Sequence, residues 1–284
     1  MEVVKTVSEL RYFRSKLREH RVLSLVPTMG ALHAGHLSLV QEARRISDHV
    51  VVSVFVNPAQ FGPNEDYQRY PRNLDGDLRV LKESGADSVF VPEAAEIYPQ
   101  GFKTFVTVGD LGEKLCGVSR PGHFRGVATV VLKLLNIVEP EVSVFGQKDF
   151  QQCVLIRRMV RDLDLKSRVV VCPIVREDDG LALSSRNRYL SPEERKAAPI
   201  LYHCLEWAQQ EVEHGEVLSG RILRGVINRI GTEQIAKLDY AEIVNEETLD
   251  PDQTVTKGSV LAAAVWFGST RLIDNVILKA GGHS

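Results

Sequence analysis

The sequence predicts an α/β fold, with an N-terminal doubly wound parallel sheet followed by a smaller C-terminal α+β domain. Three observations carry this expectation. Residues 22–26 and 50–56 are short, nearly continuous apolar runs, the second mostly β-branched, the pattern of strands covered on both faces. Between them, residues 36–47 place Leu37, Val40, Ala43 and Ile46 at helical spacing, with Gln41, Glu42, Arg44 and Arg45 mostly on the other side. The alternation of strand and helix then recurs as far as residue 172, and successive β-α-β units build an open parallel sheet.

Taken in order, the later elements are a helix over 73–83, a strand over 88–91, a helix over 126–138 and a strand over 142–145. A helix over 148–162 and a strand over 169–172 follow. Ligands of such sheets sit beyond the C-terminal ends of the strands. After Pro173 the texture changes to a polar loop, REDDGLALSSRNRYL, and then a long helix begins near Ser191 and Pro192, where serine caps and proline suits the first turn. The expected domains are therefore 1–175, which binds the substrates, and 176–284, a smaller α+β part covering the active site. The second part offers a helix over 218–230 and strands over 240–244, 260–267 and 272–278. There is no internal repeat and no low-complexity tract.

The 284 residues are 44% hydrophobic and 25% charged, enough for a substantial core. A net charge of -2 provides no basic field to neutralise a nucleic-acid backbone, so nucleic acid is not expected as a partner. Cys116, Cys153, Cys172 and Cys204 are scattered without a C-x-x-C pair, which reads as buried reduced thiols rather than a zinc site or a disulfide framework. The segment MEVVKTVSEL lacks a basic region followed by an apolar core, and no apolar stretch approaches membrane-spanning length. A cytoplasmic protein with no membrane partner is expected.

The sharpest chemical signal is PTMGALHAGH, directly after the first buried run. His33 and His36 stand three apart across the start of a helix, so both imidazoles can face an anion that the unpaired N–H groups of the helix attract. Gly30 and Gly35 permit close backbone approach. A second cluster, GQKDFQQ, again lies where a strand ends and a helix begins, and Lys148 there suits phosphate. A third, LALSSRN, offers the hydroxyls of Ser184 and Ser185 and the guanidinium of Arg186, a donor set for phosphate oxygens. Gln60, in the loop after the second run, and Gln152 can orient a polar substrate without competing chemically. Each of the last three clusters is commonplace alone; their places near strand ends give them weight.

H-x-G-H at the start of the first helix of such a sheet resembles the Rossmann-like nucleotidyltransferase and class I synthetase superfamily, in which the pair stabilises charge developing at the α-phosphate of ATP. The loop 181–187 resembles the mobile KMSKS-type loop of adenylate-forming synthetases. Together, VPTMGALHAGH, VFVNPAQFGPNEDYQRYPR, RPGHFRGV, FGQKDFQQ, DGLALSSRNRYL and VWFGSTRLIDN resemble the pantothenate synthetase family in order along nearly the whole chain. The chain departs from the family at Gln147, where GEKD is usual.

The resemblance implies an ATP-dependent ligase that joins pantoate to β-alanine through a pantoyl adenylate, releasing AMP and pyrophosphate. It implies ATP contacts at Met29, Gly30, Ala31, Leu32, His33, Ala34, Gly35 and His36, at Gly146, Gln147, Lys148 and Asp149, and at Val175, Leu183, Ser184, Ser185 and Arg186. His33, His36 and Lys148 are the implied catalytic groups. Gln60 and Gln152 would bind pantoate, with Gln60 also at β-alanine, and a homodimer through the N-terminal domain is implied. Mg2+ is expected to ride on the ATP phosphates; no protein ligand to it is named, and Asp77 reads as a helix-surface aspartate rather than an outer-shell contact. The polar stretch 61–72 is a candidate lid.

Two other enzyme readings share the H-x-G-H. A nucleotidyltransferase acting on a phosphate-bearing acceptor leaves the remaining blocks unexplained, and an aminoacyl-tRNA synthetase calls for a basic RNA-binding surface that the charge does not supply. A silent nucleotide sensor would have lost reactive groups, yet His33, His36, Lys148, Ser184 and Arg186 are all present.

Overall fold

The computed structural model describes residues 1–17, 21–63 and 65–279, which form two compact units. One comprises residues 1–113, 117–146 and 155–173. The other comprises residues 114–116 and 147–154 and the chain from Ile174 onward.

The first unit holds six parallel strands: β1 (Glu2–Val4), β2 (Leu23–Thr28), β3 (His49–Val54), β4 (Ser88–Phe90), β5 (Val142–Gly146) and β6 (Arg168–Cys172). They lie in the order β1-β4-β3-β2-β5-β6. The helices up to β6 are, in chain order, α1 (Val7–Lys16), α2 (Ala34–Ile46), α3 (Leu74–Glu83), the short α4 (Ala94–Ile97) and α5 (Cys116–Ser119), α6 (His123–Val138) and α7 (Phe150–Asp162). β2 and β3 are interior strands and are buried almost throughout, as their unbroken aliphatic runs require. Val26, Val40, Val50, Val52, Leu81, Val89 and Val144 are fully buried in their core, each contributing roughly 1.5–3 kcal/mol.

On α2 the buried residues are Leu39, Val40 and Ala43, while Leu37 and Ile46 are only half-buried. The apolar stripe is thus rotated toward Leu39, which packs beside Gly146 at the end of β5. The sequence reading missed β1 and α1, although Thr6 and Glu9 carry the start signal: the Thr6 hydroxyl accepts from the Glu9 N–H while the Glu9 carboxylate accepts from the Thr6 N–H. The helix expected from residue 148 starts at Phe150, because Gln147–Asp149 form a 3-10 turn.

In the second unit, α8 (Pro192–Ala197), α9 (Ile200–Glu213) and α10 (Ser219–Ile230) accompany an antiparallel sheet of β7 (Ala236–Asn245), β8 (Ser259–Phe267) and β9 (Thr270–Ile277) in that order. The single long helix expected after Ser191 is two helices. Pro199 has no N–H to donate to Arg195, and the chain tightens into a turn there before α9 resumes. Leu201, Leu205, Ile222, Val226, Leu261, Val265 and Phe267 form the core. All four cysteines are buried thiols. Among the described residues, no helix is long and apolar enough to cross a membrane.

Candidate active site

Strand order in the first unit reverses between β2 and β5, since the chain winds outward through β3 and β4 on one side and β6 on the other. The crevice beyond the C-terminal ends of two such strands is the usual ligand site of an open parallel sheet. PTMGALHAGH leaves β2 there.

The turn that redirects the chain into α2 uses Gly30 at φ 79° and Ala31 at φ 51°, the latter an unusual conformation for a residue with a Cβ. What holds it is Asp77. One carboxylate oxygen accepts from the Ala31 N–H at 3.0 Å and the other from the Leu32 N–H at 2.9 Å. A side chain at position 30 would place its Cβ 2.8 Å from that carboxylate, so the close approach needs glycine. Asp77 is 5% exposed, which overturns its reading as a helix-surface residue: it lies in the first turn of α3, but faces inward.

His33 is the N-cap residue of α2 and His36 stands in its first turn, with the two rings 4.1 Å apart. The His33 N–H points to His36 Nδ1 at 3.4 Å. A backbone N–H can only donate, so in the neutral His36 ring the proton sits on Nε2.

Gln60 closes a 3-10 turn, Pro58–Gln60, that Asn57 caps. The buried Asn57 amide is fully used: Nδ2 donates to Gln60 Oε1 at 3.0 Å and to the Gly126 carbonyl at 3.1 Å, and Oδ1 accepts from the Ala59 N–H and the Tyr98 hydroxyl. Burial pushes the Tyr98 hydroxyl up to about 12 despite its bond to Asn57, so it stays a donor at neutral pH. Gln60 Nε2 lies 3.0 Å from Met29 Sδ, which brings two sequence-marked residues together.

The Gln60 carbonyl accepts from His123 Nδ1 at 2.7 Å, and Arg120 Nη1 lies 3.0 Å from His123 Nε2. Arg120 can only donate, so Nε2 is the acceptor and Nδ1 carries the proton. Arg120 also pairs in two places with Glu65, at 2.6 and 2.7 Å. Burial raises the Glu65 carboxyl, but the Arg120 guanidinium outweighs it and holds the group below its ordinary range. Glu65 belongs to the candidate lid, where Phe61 packs on Tyr67 and Tyr70; Asn64 lies outside the described residues.

In the second unit, the turn Gln147–Asp149 presents Lys148, whose ammonium is 3.3 Å from the Asp149 carboxylate. Asn275 of β9 grips this turn through the carbonyls of Gln147 and Lys148. Gln152 lies half-buried in the first turn of α7. A hairpin leads into the loop read as KMSKS-like: Leu183 N–H donates to the Val175 carbonyl at 3.0 Å, Arg176 pairs with Ala182, and Ser185–Tyr189 then form a 3-10 turn. The Ser184 hydroxyl accepts from the Arg186 N–H, Ser185 is buried, and Asn187 donates to Glu177 and to the Ala182 carbonyl.

Sequence reasoning missed Asn57, Tyr98, Arg120, His123 and Asn275, and it placed Asp77 on the wrong face of its helix. The blocks RPGHFRGV and VWFGSTRLIDN contain three of them, but nothing local marks their roles.

The sequence profile of the pantoate-beta-alanine ligase family matches residues 2–277. The chain is 54% identical over 281 residues to the pantothenate synthetase of Acetivibrio thermocellus, covering 98% of this chain and 100% of that protein. Against the pantothenate synthetase of Thermotoga neapolitana the identity is 52% over 279 residues, with 98% and 100% covered. The crystal structure of pantothenate synthetase from Thermus thermophilus superposes with a TM-score of 0.93 at 48% identity, covering 98% of this chain and 99% of that one. A pantoate-beta-alanine ligase from Francisella tularensis, complexed with beta-gamma ATP and beta-alanine, gives 0.81 at 35% identity over 98% and 97%. With the H-x-G-H turn at the reversal of the sheet, a profile match over almost the full length and relatives about half identical throughout, the chain belongs to the pantoate-beta-alanine ligase family.

Proposed function

We propose that the chain condenses pantoate with β-alanine in an ATP-dependent reaction through a pantoyl adenylate, with the residues marked in its sequence as the working groups. The observation that carries this reading is the turn 29–36: Asp77 fixes its backbone, and His33 and His36 stand at the N-terminus of α2, where N–H groups and the helix dipole favour an anion. The relative from Francisella tularensis, named as a complex with beta-gamma ATP and beta-alanine, supports it.

In the first step a pantoate carboxylate oxygen forms a bond to the α-phosphorus and the bond to pyrophosphate breaks. Negative charge builds on the phosphoryl oxygens, and His36 Nε2–H, His33 and the Lys148 ammonium stabilise it. In the second step the β-alanine amine attacks the acyl carbon of the mixed anhydride, AMP leaves, and the amine loses a proton. Gln60 and Gln152 orient pantoate, and Gln60 also faces β-alanine. Met29–His36, Gly146–Asp149, Val175 and Leu183–Arg186 hold the nucleotide in this reading. Division near residue 175 into a nucleotide-binding part and a smaller α+β part belongs to the same proposal, as do a homodimer and a cytoplasmic location.

Mg2+ enters as part of the MgATP substrate. Among the described residues no cluster of three or more His, Cys, Asp or Glu is arranged to hold a metal, and the Asp77 carboxylate is committed to two backbone N–H groups. The test is release of AMP and pyrophosphate from Mg-ATP and pantoate, with and without β-alanine. Multiple turnover that requires both acids and yields pantothenate supports the reading; ATP left unchanged in every combination overturns it.

A further inference from the structure

Two adjacent polar residues of β9, Asp274 and Asn275, are 3% and 2% exposed. Neighbouring strand residues point to opposite faces, so burying both means that two polar side chains enter packed surroundings where aliphatic residues would ordinarily serve the sheet. Such groups persist when every donor and acceptor is used, and the partners show what they are for.

Asn275 Nδ2 donates to the carbonyls of Gln147 at 2.9 Å and Lys148 at 3.1 Å. A nitrogen facing two carbonyls fixes the orientation of the amide, and its Oδ1 accepts from Gln147 Nε2 at 3.1 Å. This donor-to-acceptor match accounts for the contact made by Gln147. A glutamate there would set a carboxylate against Oδ1. The two carbonyls are those that a longer α7 would offer to its own N–H groups; held by Asn275 instead, they belong to a 3-10 turn and α7 starts at Phe150. Asp274, meanwhile, takes a two-pronged bond from Arg176, at 2.5 and 3.0 Å, and accepts from the Asn275 N–H at 2.8 Å. Arg176 in turn donates to the carbonyl of Gly180, at the tip of the hairpin that leads to Ser184–Arg186.

We infer that Asn275 is a positioning residue for the adenylate-forming step. It sets the backbone from which the Lys148 stem extends, while Asp274 sets the 175–183 hairpin from the same strand. Lys148 has four rotatable carbons between its backbone and its charge, so a defined origin limits where the ammonium can reach as charge develops. The inference rests on the reading of Lys148 as the phosphate-binding cation, and it concerns the first half-reaction alone.

The experiment compares Asn275→Leu, which keeps the volume and loses all three bonds, and Asn275→Ser, which keeps one donor, with Lys148→Ala as the control. Adenylate formation is followed in single turnover with Mg-ATP and pantoate. Aminolysis is followed separately, by adding β-alanine to preformed pantoyl adenylate on the protein. The expected result for Asn275→Leu is a loss of about 10–100-fold in the adenylation rate constant, with pantoate and ATP KM and the aminolysis rate within about threefold, and an intermediate loss for Asn275→Ser. Normal adenylation in Asn275→Leu beside an inactive Lys148→Ala overturns the inference and leaves the reading of Lys148 standing. An active Lys148→Ala overturns both. Equal loss in the two half-reactions, or failure of both Asn275 variants to fold, assigns Asn275 to structure alone and also overturns it.

Discussion

Gly126→Ala is the most economical perturbation of the turn proposed to orient pantoate. Gly126 lies in the first turn of α6 against the turn that carries Gln60. A Cβ built there falls 2.1 Å from the Ala59 carbonyl oxygen, 2.4 Å from its carbon and 2.7 Å from Gln60 Cα. All three are backbone atoms, so no side-chain rotation relieves the clash. Carbon contacts are comfortable near 3.5 Å and beyond, so the Ala59–Gln60 segment must withdraw by about 1 Å even for a compressed fit. The same movement strains the Asn57 bond to the Gly126 carbonyl, which ties the turn to α6.

Stability should change little. Alanine in a helix gains about 1 kcal/mol over glycine, and overpacking costs about 1–3 kcal/mol, leaving a net loss of roughly 0–2 kcal/mol. Activity is more sensitive, because a displacement of about 1 Å in a substrate-orienting group costs about a hundredfold, or ~2.7 kcal/mol at the transition state. The assay is AMP release at varied pantoate and at varied ATP, beside thermal unfolding. The expected outcome is a loss of kcat/KM for pantoate of that order with ATP KM little changed. A folded variant whose pantoate kcat/KM stays within about threefold of the parent would refute both the steric argument and the role of Gln60.

His36→Ala should lower adenylate formation by about 10²–10³-fold and leave the unfolding midpoint nearly unchanged, as measured by single-turnover AMP formation and calorimetry. Asp77→Asn is isosteric but turns one acceptor into a donor facing an N–H, so it should cost about 1.5–3 kcal/mol of stability and slow adenylation as the turn through Ala31 relaxes; an unchanged urea midpoint would contradict the anchor. Glu65 titrates lower folded than unfolded, so its pair with Arg120 stabilises the protein above the ordinary carboxylate pKa and is lost as pH falls through the lowered folded value. The gap in melting temperature between parent and Glu65→Gln should therefore hold steady above about pH 5 and close at lower pH, and a gap independent of pH would count against the pair.

What the sequence alone determined is whatever neighbouring residues encode together. Val50–Val52 and Leu23–Val26 announce strands buried on both faces because each residue repeats the same preference, and H-x-G-H after such a strand places two imidazoles at a helix start by spacing alone. Lys148 and the 181–187 loop are proposed as site elements on the same local terms. The start of α1 and the break before α9 carry equally local signals, a reciprocal cap between Thr6 and Glu9 and the missing N–H of Pro199.

Only the tertiary structure decided what holds those groups in place. Asp77 reaches Ala31 across 46 positions, Asn57 meets Tyr98 across 41, and Asn275 meets Gln147 across 128. A hydrogen bond of that span leaves no periodicity, because the residues between its partners are free to vary, and a buried aspartate looks like a surface one until the fold shows which face of its helix is covered. The sequence thus names the groups proposed to meet the substrates, whereas their orientation depends on packing that brings distant segments within about 3 Å of one another.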